Sequence, residues 1–437
     1  MSFLLAITDF STGEGVYTAE QLARLVPRLG YADLAIWDRG LHGYPKLREE
    51  LAYVQAPVRL HVGCRFSWRG EDFGALPFSD AGYAALNHLL TIQAHGSDGD
   101  FGQPEPPRNC VLLAERLAGL ELLLREGLEA SLLAHPRRHG EAAEALRRGL
   151  PVMAPQVLRF RTPAGLELHR LKRAIATQDT VLRTEPLWHL QDAAVDRRTW
   201  EARFPWAEPR IARATEAALT RIAGWPIHWG AWVNAGPLGL EGSDLDAELR
   251  ERVRRGILKR YGAMDGEREH RMEHELDLIR RKGFTAYFLL VKDLVSHSAV
   301  ARTCGRGSGA ASLVSYALEL TNVDPIDTNL VFERFLTEAR KDPPDLDIDF
   351  AWDERDGVLQ SVFERYGRAR VAMVANHCCF KPKGALRAVA QAHGRPEAEL
   401  KALAKYVRGW DGGLEKALEN PHWAPLLVQA EALGAVS

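Results

Sequence analysis

The chain has 437 residues, of which 46% are hydrophobic and 26% charged, and its formal net charge is −2. That length exceeds one ordinary domain, and the apolar content is enough for about two or three cores. The near-neutral charge excludes a polycation that coats nucleic acid, so any such contact must be local.

From the N-terminus, short apolar strands at 34–36, 58–62 and 110–113 alternate with helical stretches at 19–26 and 115–124. Strands alternating with helices predict an α/β layer or barrel, running from the start to about residue 185. His135, His139 and His169 fall in this part without a ligand pattern and read as ordinary surface or core histidines. The stretch 186–237, rich in tryptophan and proline, reads as a connecting segment, and 244–298 as a long helical stretch. Its basic groups, Arg252-Val253-Arg254-Arg255 with Lys259-Arg260, and Arg280-Arg281-Lys282, sit beside glutamates where i,i+4 pairing is the usual explanation. No positively charged leader precedes an apolar stretch, and no run of about eighteen apolar residues occurs, so the expected location is cytoplasmic, with no membrane contact. Five cysteines (Cys64, Cys110, Cys304, Cys378 and Cys379) lack Cys-x-x-Cys spacing, which argues for buried thiols over a disulfide framework or structural zinc. His377-Cys378-Cys379 is at most a weak metal or redox site.

Two motifs carry more. A turn, Gly305-Arg306-Gly307-Ser308, is followed by the acidic run Asp345-Leu346-Asp347-Ile348-Asp349-Phe350. In a strand, Asp345, Asp347 and Asp349 share one face while Leu346, Ile348 and Phe350 fill the other. Clustered carboxylates raise one another's proton affinity unless a cation relieves them, and hard oxygen ligands suit Mg²⁺. The alternative is a solvated acidic strand edge. Upstream, the glycines permit positive φ, Ser308 adds a donor, and 310–320 reads as a helix whose N-terminus would hold phosphate. A flexible turn is the alternative there, and no Gly-Lys-Ser/Thr follows as a P-loop requires. Arg334, in Phe332-Glu333-Arg334-Phe335, adds a cation between the two motifs.

These residues, with Ser315-Tyr316-Ala317-Leu318, Asp324-Pro325 and Leu330-Val331 before Phe332, resemble the palm of bacterial DNA polymerase III alpha subunits, the C-family. Pro343-Pro344, Arg368 and Lys381-Pro382-Lys383-Gly384-Ala385-Leu386-Arg387 resemble its error-prone branch. The resemblance implies an α/β multidomain chain: a degenerate polymerase-and-histidinol-phosphatase (PHP) barrel at 1–185, a connecting segment at 186–221, the first part of a nucleotidyltransferase-like palm at 222–375 and a partial helical thumb at 376–437. It further implies that Asp345 and Asp347 hold two Mg²⁺ ions, with Asp349 behind them. Arg306, Gly307, Ser308 and Arg334 would meet the triphosphate of a deoxynucleoside triphosphate, and Lys381, Lys383 and Arg387 the backbone of a DNA template-primer. The reaction implied is nucleotidyl transfer to a primer 3′-hydroxyl in translesion or repair synthesis.

The family's barrel opens with a His-x-His pair, where this chain reads Leu5-Ala6-Ile7. Arg39 follows Trp37-Asp38 where a histidine is usual, Arg65 replaces a glutamate, and Pro155-Gln156-Val157-Leu158 replaces Asn-Asp-Val-His. A guanidinium has no acceptor, so the barrel is expected to be scaffold without its metal centre, which counts against a phosphoesterase. The family's third palm carboxylate, fingers and sliding-clamp-binding region would lie beyond Ser437. The expectation is therefore the N-terminal part of an error-prone DNA polymerase, inactive alone, meeting the sliding clamp or other polymerase subunits through regions this chain lacks. The competing expectation is a catalytically silent scaffold that binds DNA or polymerase partners.

Overall fold

The computed structural model describes residues 2–95, 102–203, 208–227, 236–297, 303–340, 342–368, 370–374, 379–406 and 423–435. They divide into two compact units, one formed by 1–228 together with 378–437 and the other by 229–377.

The first unit opens with β1 (Leu4–Ala6), α1 (Ala19–Arg28), β2 (Asp33–Ile36), α2 (Gly43–Tyr53), β3 (Arg59–His61), β4 (Cys64–Trp68) and β5 (Glu71–Pro77). It continues through α3 (Asp80–His95), β6 (Cys110–Ala114), α4 (Leu117–Arg125), β7 (Ala130–Leu133), α5 (His139–Arg147), β8 (Val152–Met153), β9 (Gln156–Leu158) and α6 (Pro163–Thr177). Four strands pair in the order β3-β2-β1-β9, all parallel, and five in the order β4-β5-β6-β7-β8, where only β6-β7 and β7-β8 are parallel. The α/β expectation is borne out by these mixed sheets and their helices.

Strand periodicity explains the layering. Leu5, Ala35 and Val157 of the first sheet share a buried cluster with Val111, Leu113 and Leu133 of the second. Their neighbours Leu4, Ala6, Leu34, Ile36 and Leu158 turn the other way, onto Leu22 and Val26 of α1 and Leu47 and Leu51 of α2. Strands covered on both faces read as continuous apolar runs. On the far side of the second sheet, Leu112, Ala114 and Leu132 meet Leu86, Leu120 and Ala142 of α3, α4 and α5. Thr18 caps α1 through the Gln21 amide while the Gln21 side chain returns to the Thr18 amide.

This unit extends beyond the 1–185 barrel read from the sequence. Helices α7 (Arg197–Glu201) and α8 (Pro209–Ala223) join it. Trp200 Nε1 donates to the Ala154 carbonyl at 3.0 Å, the Ala154 amide donates to Thr215 Oγ1 at 2.9 Å, and Ala218, Leu219 and Ile222 enter the inter-sheet cluster. The expected connector at 186–221 and the palm start at 222 thus lie within the first unit. From the segment expected as a thumb, α14 (Pro382–Ala392) and α16 (Ala424–Ala430) bury Leu386, Val389, Leu426 and Leu427 against Leu171 and Ala174 of α6. Between them stands α15 (Glu397–Tyr406).

The second unit comprises α9 (Leu245–Tyr261), α10 (Gly266–Arg281), α11 (Thr285–His297), β10 (Thr303–Arg306), α12 (Leu313–Ala317), β11 (Asp347–Phe350) and α13 (Arg355–Tyr366). The single helical stretch expected at 244–298 is broken into three. Gly262, at φ 77°, ends α9 in a left-handed conformation that is strained for residues with a Cβ. Leu249, Val253, Met272, Ile279, Phe288, Leu313, Phe332 and Phe335 form its core.

Candidate functional site

Strands β10 and β11 pair antiparallel, with Gly305 opposite Ile348 and Arg306 opposite Asp347. This register brings the glycine-serine turn and the acidic run together. Exposure alternates from 345 to 350: the three aspartates face out, while Leu346 and Ile348 pack against the core of the second unit. Gly305 is required by close approach, since a Cβ there would stand 2.2 Å from the Leu320 carbonyl oxygen. Gly307 has φ 69°, and a Cβ there would stand 3.1 Å from Asp347 Oδ2. The Asp347 carboxylate therefore lies beside the turn.

Only part of the expected constellation forms. The strand covers Asp347–Phe350 and leaves Asp345 outside the ladder, because its partner β10 ends at Arg306, opposite Asp347, where Gly307 turns the chain at φ 69°. The carboxylates are relieved by guanidinium groups. Arg306 Nε donates to Asp349 Oδ1 at 3.0 Å, and Arg340 donates to Asp345 Oδ2 at 3.3 Å. Asp347 has no cation partner among the described residues. No group of three or more His, Cys, Asp or Glu side chains able to hold a metal occurs among the described residues.

A second correction concerns the turn. The helix expected at 310–320 is a 3-10 turn over Gly307–Ala311 followed by the five-residue α12. Its first amides are not free for phosphate. The Glu275 carboxylate, fully buried in α10, accepts from the Leu313 and Val314 amides, both at 3.0 Å, and from Ser312 Oγ at 2.8 Å. Arg271 donates to Glu275 at 2.6 Å, and also to the Ala311 and Leu330 carbonyls at 2.9 and 3.0 Å. Burial pushes the Glu275 carboxyl up from its ordinary value, while Arg271 and the two amides oppose that shift. This clamp fixes the chain on both sides of the site, at Ala311 and before Phe332. Sequence reasoning missed it because Arg271 and Glu275 look like a surface i,i+4 pair. The one available signal is that Glu275 shares the apolar stripe of Met272, Leu276 and Ile279.

Arg334 ends a 3-10 turn, Phe332–Arg334, with its side chain exposed. Ser308 is likewise exposed. Lys381, Lys383 and Arg387 are exposed at the start and on the outer face of α14, in the first unit rather than in the unit that carries Asp347. His377 and Cys378 lie outside the described residues. The described cysteines are all free; Cys64 and Cys110 are buried, and burial pushes their thiols up to about 12, while Cys304 and Cys379 are exposed. The expectation of mostly buried thiols therefore holds for only two of these four.

In the first unit, Leu5 and Ile7 are core residues. Arg39 donates to Glu14 at 3.0 Å and Arg65 also donates to Glu14, so guanidinium-carboxylate pairs stand where ligands were looked for. Burial raises Glu14's proton affinity, but Arg65 and then Arg39 outweigh it and leave the carboxyl below its usual range. Asp38 accepts from the Thr8 amide at 2.8 Å, Thr8 Oγ1 at 2.6 Å and Ser11 Oγ at 2.8 Å. Burial nonetheless lifts it to about 6. Glu14, Asp38, Arg39 and His42 line a cavity of about 150 Å³.

Comparison with known proteins gives concordant results. The sequence model of the family described as "Bacterial DNA polymerase III alpha NTPase domain" matches residues 247–434. A protein of Pseudomonas syringae pv. syringae named "Error-prone DNA polymerase" is 40% identical over 443 residues, covering 94% of this chain and 42% of its own. One of the same name from Nocardia farcinica is 32% identical over 420 residues, covering 90% of this chain and 36% of its own. This chain thus spans less than half the length of these curated relatives. Among solved structures, a putative metal-dependent phosphoesterase from Bifidobacterium adolescentis aligns over 35% of this chain and 86% of its own at 14% identity, with a TM-score of 0.23, too low to relate the two folds. No helix among the described residues is long and apolar enough to cross a membrane.

Proposed function

Because the chain belongs to the bacterial DNA polymerase III alpha family, on the side of the error-prone enzymes, we propose that it forms the nucleotide-meeting part of an error-prone DNA-directed DNA polymerase. The observation that carries this reading is the β10-β11 register, which sets Arg306 across from Asp347 and Gly307 beside the Asp347 carboxylate. An anion-meeting turn and a hard-oxygen face are adjacent.

The donor set suits a divalent cation. Asp347 is exposed without a cation partner among the described residues, and Asp345, also exposed, is held by one contact to Arg340. Asp345 and Asp347 would hold two Mg²⁺ ions, which when bound supply a lowered pKa for the primer 3′-hydroxyl and charge relief for the departing pyrophosphate. This chain's other residues position. Arg306, Gly307, Ser308 and Arg334 would orient the triphosphate of a deoxynucleoside triphosphate. Asp349 keeps Arg306 extended along the ladder, while the Glu275-Arg271 clamp holds the turn in place. Lys381, Lys383 and Arg387 would contact the template-primer backbone in a salt-sensitive, sequence-independent way.

Primer extension by this chain, supplied with the remaining length of its relatives, tests the reading. Asp347→Ala is expected to lower the rate by roughly three orders of magnitude or more, as misplacing an in-line attack does. Normal extension by that variant overturns the assignment. This chain alone is expected to give no extension, because no third carboxylate joins Asp345 and Asp347 among the described residues. The pairing of Asp345 and Asp349 with arginines favours a second reading, a catalytically silent scaffold for DNA or polymerase partners. Template-primer binding that Asp347→Ala leaves intact, with no extension by the completed parent, would support that reading instead.

A further inference from the structure

A cavity opens in the first unit where its strands begin. Its volume is about 290 Å³, near the lower bound for a small-molecule site. Arg59 and His61 of β3, Tyr44 of α2, Pro77 of β5, and Ile222 and Trp225 at and beyond the end of α8 line it. Arg59 opens β3 beside Asp33, which opens β2, and Pro77 pairs with Cys110, which opens β6. The cavity thus lies away from Asp38, which follows the C-terminal end of β2.

The polar groups on its wall form a fixed array. His61 is 9% exposed, and its Nε2 bonds Asp33 Oδ1 at 2.9 Å. Arg59 donates from Nε to the same oxygen at 2.8 Å and from Nη2 to Oδ2 at 2.9 Å. Burial raises the proton affinity of Asp33, but the bonds from His61 and then Arg59 outweigh it and hold the carboxyl below its ordinary value. An ionised carboxylate only accepts, so the imidazole hydrogen sits on Nε2 and the neutral ring keeps a lone pair on Nδ1. Nδ1 makes no hydrogen bond among the described residues and is not one of the enclosed unsatisfied atoms. Arg59 has Nη1 unspent at the mouth, where its side chain is 65% exposed. An acceptor and a donor, tied to one Asp33 oxygen, therefore stand side by side. The Arg59-Asp33 pair is neutral as a unit, so this wall selects no ion.

The aromatic wall is also held in place. Trp225 Nε1 donates to Asp80 Oδ1 at 3.0 Å, and its ring centroid lies 6.1 Å from that of Tyr83. Aromatic surface beside a donor-acceptor edge favours a flat ligand with the complementary edge.

We propose that this cavity binds a small neutral planar heterocycle that carries an N–H beside a carbonyl, the edge of a free lactam base such as uracil or hypoxanthine. The ligand N–H donates to His61 Nδ1, the carbonyl accepts from Arg59 Nη1, and the ring lies on Trp225. Asp33 positions both partners without touching the ligand. A purely structural role for the Asp33 contacts uses neither Nδ1 nor Nη1. This site is independent of the β10-β11 reading and stands or falls without it.

The test is calorimetric titration of the whole chain with uracil and with hypoxanthine at about pH 8, where an ordinary histidine is neutral. Each base is compared with 1,3-dimethyluracil or 1-methylhypoxanthine, which keep ring and carbonyl but lose the N–H of that edge. Saturable binding of at least one base is expected, about tenfold tighter than its methylated form, the range for one unsatisfied polar group. Trp225→Leu is expected to weaken that binding roughly ten- to hundredfold, as losing a stacked base contact does. His61→Phe is expected to erase the preference for the N–H form. Absence of saturable binding of both bases by the parent chain overturns the proposal, as does equal affinity for the methylated form or unchanged affinity in Trp225→Leu. Should His61→Phe fail to fold, Trp225→Leu decides with the methylated forms, since Trp225 is half-buried and outside every strand and helix.

Discussion

Glu275 shows how a single buried carboxylate organises a site without touching substrate. Its oxygens satisfy a hydroxyl, two amides and a guanidinium, so Glu275→Ala strands Arg271 and the start of α12 together. The expected loss is about 3–5 kcal/mol of stability in urea unfolding, the range for breaking one partner of a buried pair. Asp38 gives a pH signature. Its folded pKa of about 6 lies above the unfolded value of 3.8, so the folded chain keeps a proton that the unfolded chain releases. Stability therefore falls as pH rises from about 4 to about 6, by about 3 kcal/mol in all, and then levels off. Glu14, held low, acts oppositely, its contribution fading as pH falls below about 4.5. A carboxyl-carbon NMR titration should show an Asp38 midpoint near 6, and Asp38→Asn should abolish the fall in stability across that window. The outward face of the aspartates was legible because strand periodicity is two. The partners of Asp345 and Asp349 were not, because Arg306 looked equally suited to a phosphate and Arg340 carried no signal.

A two-stranded ladder is marginal in isolation, and β10-β11 persists because Leu346 and Ile348 pack on the core and Thr321 Oγ1 donates to the Gly305 carbonyl at 3.2 Å. Gly305→Val would drive a branched side chain into the Leu320 carbonyl. It should cost about 3 kcal/mol or more in urea unfolding, as overpacking a closed backbone contact does. Helix α13 is the opposite case, for it has no buried residue and is tied to α11 by Arg365 and Tyr366 on Asp293, with Arg365 bonds of 2.7 and 2.8 Å. Its amides should exchange with deuterium far faster than those of α10, and Asp293→Asn should speed them further while α10 stays protected. The sequence showed the helical character of 244–298 but not its division into α9, α10 and α11, although Asp244 and Asp265 cap the first two of them, and it overextended the helix after the glycine-serine turn. The run 310–320 is rich in helix formers, yet Ser312 and Glu275 start a shorter helix inside it.

At the scale of the molecule, alternating strands and helices were readable because, β9 beside β1 apart, the strands of both sheets pair with their neighbours in the chain. The division into units was not, because it rests on α6 meeting α14 and α16, whose apolar faces look alike in sequence whether they pair or not. Deleting 378–437 should therefore lower the thermal midpoint of the first unit and leave that of the second in place, read as two calorimetric transitions of which only one moves. The same interleaving has a price in time during synthesis. Leu171 and Ala174 leave the ribosome roughly 200 residues before Leu386 and Val389. At about 5–20 residues per second, that apolar stripe waits on the order of 10–40 s for its cover. A nascent chain stalled after the second unit would present a greasy, half-built first unit to any holdase nearby, beside a neighbour that is already folded.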